Sequence, residues 1–103
     1  MKYPVITLCG STRFKEEFIQ ARENLARRGY IVLSPDLFTQ LEEGEIPADI
    51  VERLDEIHRQ RIDMSDMIYV INKNGYIGSS TRREIAYATS KKKEIHYMEE
   101  FWY

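Results

Sequence analysis

Short apolar runs alternate with longer amphipathic stretches along this chain. The apolar runs predict four β-strands, at residues 5–9, 30–34, 66–72 and 94–98. Between them, hydrophobic positions recur every three or four residues, which predicts helices over 13–28, from 48 to about 64, and over 80–92. This alternation favours parallel βαβ units with right-handed crossovers. We therefore expect an α/β fold, a small flavodoxin-like or Rossmann-like three-layer sandwich with helices on both faces of about four parallel strands in the order 2-1-3-4.

The composition is that of an ordinary globular chain. Its 103 residues are 43% hydrophobic and 31% charged, which suggests a single domain over 1–103 whose small core makes an oligomer plausible. With 15 basic and 17 acidic residues, a large nucleic-acid footprint is not expected. The single cysteine, Cys9, cannot form an internal disulfide or a cysteine-rich zinc site. Because no apolar run suggests a signal peptide or a membrane span, we expect a cytoplasmic protein without membrane contacts.

The loop after the first strand has the sequence Cys-Gly-Ser-Thr-Arg and is suited to holding an anion. Gly10 permits close backbone approach, Ser11 and Thr12 offer hydroxyls, and Arg13 could bind a phosphate with two hydrogen bonds. It is neither a Walker loop nor a dinucleotide-binding fingerprint. The alternative is a capped helix start, in which Ser11 or Thr12 accepts backbone hydrogen bonds and Arg13 faces solvent.

A second loop of this kind, rich in glycine and hydroxyl groups, follows the third strand and leads into a helix. Gly78, Ser79 and Ser80 could hold an anion there, and Glu84 is expected in the first turn of the helix. The alternative is a capping box, in which Thr81 caps the helix and Glu84 bonds back to a backbone amide.

The predicted topology brings these loops together. In a parallel sheet of order 2-1-3-4, ligands bind beyond the carboxyl ends of the strands where strand order reverses, which is between the loops after strands one and three. Two anion-binding turns at one place suggest a nucleotide site. A carboxylate beside one of them suggests chemistry on the sugar.

Three segments, 6–13, 65–72 and 75–87 with its Glu84, carry a resemblance to a known family. Together they resemble the nucleoside 2-deoxyribosyltransferases, whose superfamily includes 2'-deoxynucleoside 5'-monophosphate N-glycosidases and CMP hydrolases. The resemblance implies that Glu84 attacks the anomeric carbon as the base departs, forming a glycosyl-enzyme intermediate that water or another base resolves. It also implies a homodimer that needs no metal and no cofactor. Residues matching the family's 5'-phosphate loops are Gly10, Ser11, Arg13, Gly78, Ser79 and Ser80, with Thr12 beside them.

One position departs from the family pattern. Where the family places a carboxylate that assists the leaving base, this chain has His58, which could serve as a general acid. The alternative is a partly buried helix histidine bonded to backbone or water. Asp36, after the second strand, is a further candidate for substrate binding. Two functions remain open: an N-glycosidase or deoxyribosyltransferase acting on a nucleoside or nucleoside 5'-monophosphate, and a non-catalytic nucleotide-binding or sensing module.

Overall fold

Four parallel strands form the central sheet. The computed structural model describes residues 1–35 and 46–100. The strands are β1 (Val5–Gly10), β2 (Ile31–Leu33), β3 (Met67–Ile71) and β4 (Glu94–Tyr97). They lie in the order β2-β1-β3-β4, and every neighbouring pair is parallel. The predicted α/β fold and strand order are confirmed, and each strand boundary differs from its predicted position by no more than one residue.

Three α-helices flank this sheet in the described part of the chain. They are α1 (Lys15–Arg27), α2 (Ala48–Asp63) and α3 (Ser79–Ser90), and a short 3-10 turn at Thr12–Phe14 precedes α1. None of them combines the length and hydrophobicity that a bilayer crossing requires. Through α1 the chain moves from β1 to β2 in one direction along the sheet, and through α2 and α3 it moves in the opposite direction, to β3 and then to β4. Right-handed crossovers therefore place α1 on one face and the other two helices on the opposite face.

The two sides of the sheet have separate hydrophobic cores. Side chains alternate along β1, so Ile6 and Leu8 face α1 while Cys9 faces the α2 and α3 side. The sequence predicts an α1 stripe of Phe14, Phe18, Ala21 and Leu25. The last three are buried on the first side, while Phe14 lies in the 3-10 turn before α1 and is partly buried. On the second side the buried cluster is Cys9, Ile62, Ile68, Val70 and Ala88.

A buried polar contact fixes the last turn of α2 against β1. The carbonyl oxygen of Arg61 accepts hydrogen bonds from Thr7 Oγ1 at 3.1 Å and from Ser65 Oγ at 2.8 Å. The two hydroxyls also lie within hydrogen-bond distance of each other. Thr7 and Ser65 are almost fully buried, so removing either hydroxyl would leave polar groups without compensation. The side chains that α2 presents beside β1 are therefore held at a defined position.

The chain after β4 supports the loop after β3. The Asn72 side chain donates to the carbonyl of Glu99 at 2.9 Å and accepts from the Glu99 backbone amide at 2.8 Å. The carboxylate of Glu99 accepts from the backbone amide of Asn74 at 2.7 Å. These contacts hold the start of the second loop, which leads to α3 and Glu84.

Candidate functional site

The loop after β1 requires glycine at position 10. Gly10 has a φ of +151°, and a Cβ built there would lie 2.9 Å from the carbonyl oxygen of Ile71 on β3. Glycine therefore allows β1 to end in close contact with β3. The next residue, Ser11, accepts a hydrogen bond from the backbone amide of Arg13 at 3.3 Å and caps the 3-10 turn. Ser11 thus caps the 3-10 turn, whereas α1 itself begins after Phe14 without a side-chain cap.

Arg13 connects the first loop to the second. Its guanidinium lies 4.3 Å from the centre of the Tyr76 ring and donates to the Tyr76 hydroxyl at 3.2 Å. Phe14 meets the same ring edge-on, with 5.9 Å between ring centroids. Arg13 is exposed, yet it stacks on an aromatic ring instead of only facing solvent. Sequence reasoning missed Tyr76, because nothing in the local pattern shows that the two loops meet.

The second loop does not form a capping box. The helix α3 begins at Ser79 with Gly78 as its N-cap, and no side chain caps it. Thr81 is consequently inside the helix and buried, and Glu84 lies in the second turn, not in the first. The capping-box alternative, and the first-turn position of Glu84, are wrong. The backbone at Gly78 is extended, with a φ of −76° and a ψ of 171°, and becomes helical at Ser79. The helix therefore begins one residue earlier than predicted.

The carboxylate of Glu84 turns towards β1 and α2. Its Oε1 lies 3.6 Å from Nε2 of His58, and its Oε2 accepts from the hydroxyl of Ser80 at 3.5 Å. The same His58 nitrogen lies 3.5 Å from the sulfur of Cys9. Cys9 is fully buried, the His58 side chain is 7% exposed and that of Glu84 19%. The two predicted catalytic residues are thus brought together, in a mostly buried cluster that includes the thiol.

This environment raises the pKa of Glu84 to about 7. Burial is the main cause, and the negative charge of Asp55 adds to it. Hydrogen bonds from Cys9 and Ser80 and the charge of Arg83 act in the opposite direction. Burial, followed by the charge of Glu84, raises the pKa of the Cys9 thiol well above its ordinary value. Near neutral pH, Glu84 is therefore divided between the acid and the carboxylate, while Cys9 stays a thiol.

A cavity of about 400 Å³ opens beside this cluster. It lies at the carboxyl ends of β1 and β3, where the topology predicted a ligand site. Five of the predicted site residues line it: Gly10, Thr12, His58, Ser80 and Glu84. Pro35, Ile46, Val51 and Leu54 supply apolar surface, and Asp55 and Arg61 supply charge.

The remaining predicted binding residues have other positions. Ser11 caps the 3-10 turn and Arg13 stacks on Tyr76, as described above. Gly78 and Ser79 form the start of α3, next to the lining residue Ser80. Asp36 lies outside the described residues.

Sequence reasoning missed two charged lining residues on α2. Asp55, His58 and Arg61 follow one another at intervals of three residues, so they lie on one side of the helix. All three line the cavity. The spacing was visible in the sequence, but which side of α2 meets the carboxyl ends of the strands depends on the packing of the helix.

Cys9, His58 and Glu84 also lie close enough together to bind one metal ion. Their ligand atoms lie within 4.8 Å of one another, and the sulfur–nitrogen distance of 3.5 Å matches the edge of a tetrahedral zinc site, about 3.5 Å. The environment of the imidazole does not fit this use. Nδ1 of His58 lies 3.3 Å from Nη1 of Arg61, a group that can only donate. A neutral ring accepting there carries its proton on Nε2, the atom that would have to bind the metal.

A larger cavity of about 630 Å³ lies on the α1 side of the sheet. Its lining includes Arg28, Tyr30, Tyr69 and His96, and it shares no described lining residue with the cavity at Glu84. We take the smaller cavity as the functional site because it holds the buried carboxylate and the histidine at the strand order reversal.

Comparison with known proteins identifies the family of this chain. No curated protein matches it. A family model does match, over residues 6–97, from β1 to the last residue of β4. The matched segment contains both loops, Glu84 and His58. The chain belongs to the family described as a domain of unknown function (DUF4406).

Proposed function

We propose that this protein cleaves or exchanges the N-glycosidic bond of a nucleoside or nucleoside 5'-monophosphate, with Glu84 as the nucleophile. The observation that carries this proposal is the position of Glu84. It is a mostly buried carboxylate on the wall of a cavity between two strand-to-helix loops, in contact with His58. The resemblance to nucleoside 2-deoxyribosyltransferases supports the same assignment.

The chemistry has two steps, and Glu84 acts in both. In the first, a carboxylate oxygen of Glu84 forms a bond to the anomeric carbon while the bond from that carbon to the base nitrogen breaks. The electron pair of the broken bond stays on the base, which takes up a proton. In the second, a water or the nitrogen of another base attacks the anomeric carbon, loses a proton and releases the Glu84 carboxylate. Only the ionised form of Glu84 can attack, so its pKa of about 7 places the enzyme's working range near and above neutral pH.

The cavity contains groups suited to the rest of the substrate. His58 is a donor beside the reacting carboxylate, and Asp55 is a second carboxylate on the same helix. The hydroxyls of Thr12 and Ser80 come from the opposite loops and can bond to the sugar or the phosphate. We also propose that this small protein works as a homodimer, which sedimentation velocity would test.

Base release tests the proposal directly. Purified protein is incubated with a panel of nucleosides and nucleoside 5'-monophosphates, with and without acceptor bases, and free base is measured by chromatography. Glu84→Gln removes the nucleophile, and Glu56→Gln is the matched control because Glu56 is exposed on α2. We expect turnover by the parent and by Glu56→Gln but not by Glu84→Gln. Mass spectrometry should find the sugar attached to the peptide that contains Glu84.

The second candidate is a module that binds a nucleotide without reacting. It is favoured by the pKa of Glu84, because a carboxyl group that is half protonated at neutral pH can also hydrogen-bond a ligand as a neutral acid. Ligand-induced increases in melting temperature without base release from any member of the panel would support this candidate and contradict the enzyme.

A further inference from the structure

Arg61 contacts the imidazole of His58 on the side away from Glu84. Its Nη1 lies 3.3 Å from Nδ1 of the ring. A guanidinium has no acceptor, so Nδ1 must accept the hydrogen bond. We propose that Arg61 is a positioning residue, which holds neutral His58 in the tautomer that carries its proton on Nε2 and directs this proton at Cys9 and Glu84. Nε2 is the ring nitrogen that lies 3.5 Å from the Cys9 sulfur and 3.6 Å from Glu84 Oε1.

The backbone of Arg61 is fixed independently of its side chain. Thr7 and Ser65 both donate to the Arg61 carbonyl, which holds the last turn of α2 on β1. His58 lies one turn earlier on the same side of α2 and is buried against Cys9. The guanidinium and the imidazole therefore meet because of how the helix is attached, and substituting the Arg61 side chain leaves this attachment in place.

The alternative tautomer would place the wrong atoms together. With the proton on Nδ1, an N–H donor would face the guanidinium donors, and the Nε2 lone pair would face the Glu84 carboxylate. With the proton on Nε2, the ring can donate to the Cys9 sulfur at 3.5 Å, presents its N–H dipole to the Glu84 carboxylate 3.6 Å away, and accepts from Arg61. This arrangement favours the ionised form of Glu84 and counteracts the effect of burial.

This inference rests on the proposed function for its catalytic consequence. A donor directed at Glu84 keeps more of the nucleophile ionised and limits its orientation. Losing Arg61 should therefore move the acid limb of the rate profile to higher pH. In the described part of the chain, the titratable and charged groups around Glu84 include Cys9 of β1, Asp55, His58, Arg59 and Arg61 of α2, and Arg83 of α3. Substitutions at Arg61 leave the others in place.

Nitrogen-15 NMR of the imidazole tests the tautomer without any substrate. The chain has two histidines, so the variant His96→Gln assigns the signals of His58. In the parent at pH 8 we expect Nδ1 to show the shift of an unprotonated ring nitrogen and Nε2 that of a protonated one. Arg61→Met should give a mixture of both tautomers. Arg61→Lys keeps a donor and should restore the parent pattern. Arg59→Met is the matched control, since it removes the same charge from the same helix without touching Nδ1.

Two results would overturn the inference: a proton on Nδ1 in the parent, or an unchanged tautomer in Arg61→Met. The parent spectrum and Arg61→Lys keep the test decisive even where Arg61→Met does not fold. A tautomer that responds to Arg61 in a protein that turns over no substrate would uphold the positioning role and contradict the proposed function. Glu84-dependent turnover with a tautomer indifferent to Arg61 would do the reverse.

Discussion

The loops after β1 and β3 are similar in sequence, since each leads from a buried strand into a helix through glycine and hydroxyl residues. Their structures differ. In the first, the Ser11 side chain accepts from a backbone amide and Arg13 stacks on Tyr76. In the second, no side chain caps α3, and the Ser80 hydroxyl lies beside Glu84. The first loop thus uses its polar side chains mainly on the protein itself, while the second leaves α3 uncapped at the edge of the cavity.

This difference separates two meanings of a glycine- and hydroxyl-rich turn. An uncapped helix N-terminus has free backbone donors and a partial positive charge, both of which favour an anion. In the first loop, Ser11 caps the 3-10 turn before α1 and already satisfies one of these donors. We therefore expect the β3 loop to contribute more to ligand binding and the β1 loop more to stability, apart from the cavity-lining Gly10 and Thr12.

The largest expected effect is on turnover, at Glu84. Glu84→Gln keeps the shape of the side chain but cannot form the proposed glycosyl-enzyme bond. We expect kcat to fall by at least about 10³-fold. The measurement is base release under single-turnover conditions, with binding followed separately by thermal shift. If Glu84→Gln retained turnover, the helix that follows the β3 loop would not carry the nucleophile.

Gly10 and Gly78 compare the two loops directly. A Cβ at Gly10 would lie 2.9 Å from the backbone oxygen of Ile71, at a φ of +151°, so Gly10→Ala should cost about 3 kcal/mol. A Cβ at Gly78 would first meet the Tyr76 hydroxyl at 3.2 Å, and this side chain can move, so Gly78→Ala should cost less than about 1 kcal/mol. Urea unfolding measures both. Equal costs would show that the loops do not differ in rigidity.

Most of the fold could be predicted from sequence because burial imposes a period. All four apolar runs became strands, of which β1 and β3 are mostly buried, and Phe18, Ala21 and Leu25 of the α1 stripe are buried too. The prediction was less accurate where a helix begins. At α3, the choice between Gly78 and Thr81 as cap depends on the backbone conformation of one glycine, which the hydrophobic pattern does not encode.

The site could be predicted only in part. The sequence indicated Glu84, His58 and the edge of the sheet, and the structure brings them together. It did not indicate Asp55, Arg61 or Tyr76, whose contacts join residues that are far apart in sequence or depend on how α2 is rotated on the sheet. Cys9 was predicted at the junction of the first strand and its loop, but its contact with His58 depends on how α2 packs against β1.

Stability should depend on pH through Glu84. Its pKa is about 7 in the folded protein against an ordinary value of 4.5, so the folded state binds the proton more tightly than the unfolded state. The contribution of Glu84 to stability is therefore present below about pH 4.5 and is lost as pH rises to about 7, by about 3 kcal/mol in all. The amide of Glu84→Gln does not ionise, so the variant does not lose this stability as pH rises. The difference in unfolding free energy between variant and parent should increase in favour of the variant across this range.

Parallel urea unfolding of the two proteins at several pH values isolates this effect, because all other groups are shared. Glu56→Gln is again the control and should follow the parent at every pH. A constant difference between Glu84→Gln and the parent would mean that the carboxyl group is not destabilised by burial. The helix after the β3 loop would then lack the buried carboxyl group that most distinguishes it from the helix after the β1 loop.

The smallest expected effects concern the serines. Ser11→Ala removes the cap of the 3-10 turn and should cost about 1 kcal/mol of stability. Ser79→Ala changes an exposed residue at the start of an uncapped helix and should alter stability by less than about 0.5 kcal/mol. If the β3 loop holds the substrate's phosphate, Ser79→Ala should instead raise the KM for nucleoside 5'-monophosphates more than for nucleosides. If Ser11→Ala weakened binding and Ser79→Ala lowered stability, the pattern would be reversed. The first loop would then bind the ligand and the second would stabilise the fold.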